Sequence, residues 1–463
     1  MRNQFIWNIA AQAVGLVLPP LLIIVLARIL EPSDFGVFAL LMVVILVIQA
    51  ISLSPLGEII IKSDLEHIGD FVFTLQLIIG IGFSVLLLLF AESIAGLFNT
   101  PELAAPLRFS CLLLLVSPLV DTAIRINMRN MAFKAVFVRR VISPVANAFV
   151  SIPLALYGVG YWALVWGQLS GYIVTALVLV SMGGWHPRLN YQFVKFKDDV
   201  LFTWQMILQS MVRWIRSQSD NAILGVYNSV SGLGQYDLAR KFAGMPFAAI
   251  VQPVAQVLYA VMSERIRRNE EIGALFLISQ RRILMISLPL CVMMLMNAEG
   301  IIAIVLGDKW VEILPIFVVM AAVGALSSFV GLNMEVFKAK GEPKIMTRFM
   351  LVRAAFTVPV FLWLAPMGIT ELSFGVLGLG LVFSPINIWL TLRLLGVQLR
   401  QYLIEVLYRP ILVALAVYAA SLAVAQTQIG QWQLTISNFI VGGFIMLLAA
   451  LYWERDLFKW KSG

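Results

Sequence analysis

Five polar side chains recur at helical spacing through the stretch 201–227: Gln205, Gln209, Arg213, Arg216 and Asp220. Their steps of 4, 4, 3 and 4 residues place them on one face of a helix. Two guanidiniums on such a face suit phosphate or carboxylate, because the planar fork of donors matches paired oxygens. Exposing the three charges to hydrocarbon would cost roughly 8–10 kcal/mol on insertion scales. The stripe is therefore expected to face a wet interior and to be candidate cavity lining. A second reading stays open, in which Arg216 and Asp220, four apart, simply form an ion pair and Arg213 snorkels. Asp220 could set the arginine geometry or bind a coupling proton or sodium ion.

Milder patterns accompany this stripe. Gln4, Asn8 and Gln12 lie four apart near the N-terminus, leading toward Gly15 and the Pro19-Pro20 pair. Asn8 and Gln12 join the cavity candidates, although amides also serve as glue between membrane helices. Asp121 precedes Arg125 by four residues, and Glu335 precedes Lys338 by three. These four are candidate gate residues, or else paired charges at helix ends. His67 and His186 are far apart, and Cys111 and Cys291 lie within apolar runs. No metal-ligand or disulfide pattern is formed, and no Gly-Lys dipeptide is available for a phosphate-cradling P-loop.

The elements that must position these residues follow from composition. Apolar residues make up 61% of the 463, and charged residues 13%, a balance that suits a bilayer rather than water. Apolar runs of spanning length occur at about fourteen places. Their approximate spans are 6–30, 35–56, 70–98, 101–121, 135–157, 160–183, 201–227, 235–262, 283–306, 312–335, 345–366, 372–395, 403–425 and 433–453. With the N-terminus in the cytoplasm, only Arg28 and Lys309 of the 33 basic residues fall in outer loops. Arg108, Arg213, Arg216, Arg240 and Lys241 fall within spans, and every other basic residue lies in a cytoplasmic segment or at a cytoplasmic helix end. A missed span would invert all later loops, so the asymmetry predicts fourteen crossings with both termini cytoplasmic. The net charge of +8 is spread over those loops and does not make a nucleic-acid surface. Trp185, Trp310, Trp432 and Trp460 fall near run ends, where interfacial anchoring is expected.

An internal repeat runs through the chain. At an offset of 198, Leu26, Gly36 and Leu40 match Leu224, Gly234 and Leu238, and Phe38 meets Tyr236. The expected fold is an all-α integral membrane protein with two six-helix parallel pseudo-repeats plus helices 13 and 14. Residues 1–183 would form the first lobe, 184–200 a cytoplasmic connector, 201–395 the second lobe, and 396–463 the last two helices and a tail.

The turn Arg28-Ile-Leu-Glu-Pro-Ser-Asp-Phe-Gly36 resembles the Arg-x-Leu-Gly-Pro-x-x-Phe/Tyr-Gly signature of polysaccharide exporters in the multidrug/oligosaccharidyl-lipid/polysaccharide superfamily, with Glu31 where glycine is usual. Phe98-Asn-Thr-Pro-Glu-Leu103, Gly158-Val-Gly-Tyr-Trp162, and Asp220-Asn-Ala-Ile-Leu-Gly225 with Gly232-Leu-Gly-Gln-Tyr236 look like the same family, closest to its Wzx-type branch. The resemblance implies a flippase, not an enzyme, in the bacterial inner membrane. Its cargo would be an undecaprenyl-pyrophosphate-linked oligosaccharide for surface polysaccharide such as lipopolysaccharide or exopolysaccharide. Membrane lipids, a polysaccharide polymerase and a chain-length regulator are the partners implied; no cofactor and no nucleic acid are. Rival readings are a lipid II flippase, a multidrug/cation antiporter of the same superfamily, and a membrane polysaccharide polymerase or ligase.

Overall fold

A computed structural model describes residues 2–62, 67–130, 134–182, 185–192, 197–426 and 430–453; side chains of some helical residues, Asn8, Gln12 and Gln205 among them, lie outside the described set. No strand occurs among the described residues. The helices are α1 (Arg2–Ile29), α2 (Pro32–Lys62), α3 (Ile68–Leu97), α4 (Ala104–Phe109), α5 (Cys111–Arg129), α6 (Lys134–Leu156), α7 (Trp162–Ser181), α8 (Lys197–Tyr227) and α9 (Val230–Arg267). They continue as α10 (Gly273–Met296), α11 (Ala298–Val305), α12 (Leu314–Val330), α13 (Asn333–Ala339), α14 (Pro343–Leu364), α15 (Ile369–Leu395), α16 (Leu399–Tyr402), α17 (Tyr408–Ala425) and α18 (Gln431–Trp453).

Each of the fourteen apolar runs contains helix. Among the described residues, 11 helices are long and apolar enough to cross a membrane. α1, α6 and α8 are not in that set. In α6 and α8 the reason is chemical: Arg139 and Arg140, and the stripe at Arg213, Arg216 and Asp220, dilute the apolar sequence. Only Val17–Ile29 of α1 registers as an apolar helix.

The chain packs as two compact units, residues 1–237 with 357–369, and residues 238–356 with 370–463. In the first unit, α7 lies on α6 through small residues. A Cβ on Gly171 would stand 2.8 Å from the Ser143 carbonyl oxygen, and one on Gly167 would overlap Asn147 and Ser151. Such small-xxx-small spacing lets backbones approach where lipid offers no hydrophobic drive. α8 packs against α2 within this unit. The segment after α7 is docked: Trp185 donates Nε1–H to the buried Asp70 carboxylate at 2.7 Å, stacks edge-on against Phe73, and Asn190 N–H donates to Thr74 Oγ1 at 2.8 Å.

The turns that carry the family resemblance are built by local geometry. Pro32 opens α2, and Asp34 Oδ2 accepts the Glu31 N–H at 2.9 Å while its own N–H returns to the Glu31 carbonyl. Glu31 is not among the residues with positive φ, so glycine is not required there. Asn99 (φ 50°), Gly158 (φ +79°) and Gly160 (φ +62°) do occupy the left-handed region. The repeat has a physical counterpart here. Gly36 abuts the Val230 carbonyl oxygen so closely that a Cβ would overlap it, and Gly234 abuts the Pro32 carbonyl in the same way. Pro32 and Val230 are themselves 198 apart, as are the two glycines. Each turn thus offers the same glycine to the same carbonyl of the other, as an isologous contact demands.

In the second unit, buried amides join helices. Gln280 of α10 donates to the Ser328 carbonyl of α12 at 2.8 Å; Asn333 of α13 donates to Asn387 of α15 at 2.6 Å; Asn438 of α18 donates to Asn297 at 2.8 Å. Outward positions of α18 are apolar, including Ile440, Phe444, Leu447 and Leu451, as lipid contact requires. Two interfacial-tryptophan expectations change. Trp310 is fully buried and Trp185 is hydrogen-bonded to Asp70, because each finds a protein partner better than an interface. Trp432 is 58% exposed near the start of α18, as expected, and Trp460 lies outside the described residues.

Candidate functional site

The first unit holds an open-sided cavity of about 330 Å³. α8 supplies Ser210, Arg213, Trp214 and Ser217, spaced i, i+3, i+4 and i+7, a helical face. α5 supplies Ser117, Asp121 and Arg125; α2 supplies Gln49; α6 supplies Arg139; α7 supplies Tyr172. Three guanidiniums therefore face one carboxylate among hydroxyls and two aromatic rings. The net charge of that lining is positive, and the focusing of field in a low-dielectric cleft makes it attractive to anions.

Each arginine is held differently. Arg213 Nη2 donates to the buried Ser210 hydroxyl at 2.5 Å, one helical turn back. Arg125 makes a 2.8 Å bond to Glu58 on α2 and lies 3.5 Å from Asp121. The Asp121 carboxylate also accepts from Gln76 of α3 at 3.1 Å, and Thr122 donates to Gln76 Oε1 at 3.2 Å. Room for this network comes from Gly57: a Cβ there would stand 2.6 Å from Asp121 and 2.9 Å from Arg125. Trp214 donates Nε1–H to the Val43 carbonyl at 3.3 Å, which ties its ring to α2.

The sequence candidates are distributed as follows. Arg213 lines the cavity, and the pair Asp121–Arg125, read as gate residues, lines it too. Arg216 and Gln209 are exposed on α8 and are not among the lining residues. Asp220 is buried, and accepts from the Tyr236 hydroxyl and the Asn221 amide, both at 2.9 Å. Asn221 in turn donates to the buried Asp237 at 2.8 Å. Glu335 and Lys338 form the expected pair at 3.0 Å in the second unit. Asn8, Gln12 and Gln205 carry side chains outside the described residues. Sequence reasoning did not single out Ser210, Ser217, Gln49, Tyr172, Arg139 or Trp214 as cavity residues. The hydroxyls three before and four after Arg213 were the available signal.

Among the described residues, bilayer-length helices with a charged cavity in the first unit make an all-α, multi-pass membrane protein. The solved lipid II flippase MurJ, in an inward closed conformation, shares the fold: TM-score 0.81 over 99% of this chain and all of that one, at 14% identity. The family model for polysaccharide biosynthesis proteins matches residues 25–315, and the chain belongs to that family. It is 25% identical to the succinoglycan biosynthesis transport protein ExoT of Rhizobium meliloti (strain 1021), over 72% of this chain and 68% of that one. It is 20% identical to the lipopolysaccharide biosynthesis protein WzxC of Escherichia coli (strain K12), over 92% of this chain and 87% of that one. The chain is a transporter, not an enzyme.

Proposed function

We propose that this transporter flips an undecaprenyl-pyrophosphate-linked oligosaccharide from the cytoplasmic to the periplasmic leaflet of a bacterial inner membrane, for surface polysaccharide biosynthesis. The observation that carries the reading is the cavity, where Arg125, Arg139 and Arg213 outnumber Asp121. Guanidiniums match pyrophosphate oxygens bidentately, whereas an organic cation would meet like charge. Trp214 and Tyr172 offer apolar faces for a sugar ring, and the serines and Gln49 offer hydroxyl partners. The polyprenyl tail stays in lipid while the head group crosses by alternating access of the two repeats. A proton or sodium gradient, or removal of product by a polymerase and chain-length regulator, supplies the direction. Both termini are cytoplasmic in this scheme.

Deleting the gene and extracting membrane lipids tests the assignment. An undecaprenyl-linked repeat unit should accumulate, and the intact gene should relieve it. Normal repeat-unit levels with loss of long polymer alone would instead indicate a polymerase, and accumulation of lipid II would indicate the MurJ-like cargo.

A further inference from the structure

Among the described residues Asp121 is the one carboxylate lining a cavity whose other charged groups are arginines, and its ion pair is long. Arg125 lies 3.5 Å away and spends its short 2.8 Å contact on Glu58 instead. The other partner is a neutral amide, Gln76, at 3.1 Å. Gln76 is fully buried and steadied by Thr122, so it points the carboxylate from behind without neutralising it. Asp121 keeps 17% of its side chain exposed, toward the space shared with Arg139 and Arg213. A carboxylate held this loosely among arginines is a replaceable counter-ion.

We infer that Asp121 is the resident counter-ion of the cavity: it balances the arginines when no cargo is bound and is displaced from Arg125 when an anionic group enters. The inference rests on the anionic-cargo reading above. Its consequence is for specificity and release. A weak anion does not outcompete Asp121, whereas a pyrophosphate with several oxygens does. Once cargo reaches the far leaflet, Asp121 returns to Arg125 and helps expel it. Binding that was merely tight would slow this last step. Asp121 is thus a positioning residue that acts through Arg125 and sets how strongly the site holds its anion.

The test uses the full-length protein in lipid nanodiscs with inorganic pyrophosphate as the probe, at one fixed low ionic strength. Asp121→Asn keeps the shape and an oxygen for Gln76 but removes the charge. It should bind pyrophosphate at least ~10-fold tighter than wild type, the scale of close charge pairs at interfaces. The same variant should complement a deletion strain poorly at normal membrane abundance. Asp121→Ser should show the same direction should the asparagine variant not accumulate. A residue with only a structural role would lose binding and abundance together. Equal or weaker pyrophosphate binding by a well-folded Asp121→Asn protein overturns the counter-ion role. Absence of pyrophosphate binding by wild type and both variants overturns the anionic-cargo reading, and this inference with it.

Discussion

Removing the Arg213 guanidinium separates cavity chemistry from helix architecture. The side chain lines the cavity from α8 and donates to Ser210 one turn back. In Arg213→Ala that hydroxyl loses a donor but can turn to a carbonyl of its own helix, which keeps the cost of losing that one bond near ~1 kcal/mol or less. The functional cost is larger. A charge-assisted hydrogen bond contributes about 1.5–3 kcal/mol, which converts to roughly a 10- to 150-fold loss of affinity for an oxyanion. Arg213→Lys should recover part of the loss, because a point charge lacks the fork. Arg216 is the internal control. It lies one turn further along α8 and is absent from the cavity lining, so Arg216→Ala should lower pyrophosphate affinity less than Arg213→Ala does. Pyrophosphate binding in nanodiscs and complementation at matched abundance read both variants. Equal losses in the two, or full affinity in Arg213→Ala, would refute the assignment of the cavity as the anion site.

Gly36→Ala and Gly234→Ala should each destabilise the protein by about 1–3 kcal/mol or more, since either Cβ would overlap a carbonyl of the other turn. Thermal aggregation of the detergent-solubilised protein measures this, and a melting point unchanged in both would refute the reciprocal contact. Cysteine labelling checks topology against a quiet background, because Cys111 and Cys291 are buried. A cysteine at Lys340 should react from the cytoplasm and one at Val159 from the periplasm; the reverse pattern would overturn the proposed orientation.

Much of the fold was legible in the sequence because bilayer solvation leaves long apolar runs, and α2, α3, α7, α12 and α15 emerge from them directly, whereas the run 283–306 straddles α10 and α11. The repeat was legible as well: the 198-residue offset that pairs Gly36 with Gly234 returns as a physical contact. The cavity was only half legible. Helical periodicity fixes the direction of a side chain around the axis, not its depth. Arg213 and Asp220 share nearly one direction, yet seven residues separate them by about 10 Å along α8. The first meets the cavity, and the second meets Tyr236. The charged stripe and the face Ser210, Arg213, Trp214 and Ser217 that lines this cavity share only Arg213. The convergence of Asp121, Arg125 and Arg139 on Arg213 depends on how α5, α6 and α8 pack, which no local spacing encodes.

Flipping by the purified protein tests the central claim most directly. Liposomes containing an undecaprenyl-pyrophosphate-linked oligosaccharide would be reconstituted with the wild type or Arg213→Ala, and a membrane-impermeant glycosidase added outside would report saccharide reaching the outer leaflet. Saccharide initially confined to the inner leaflet should become accessible with the wild type and stay protected with Arg213→Ala. Continued protection with well-folded wild-type protein, under both imposed proton and sodium gradients, would contradict the flippase assignment.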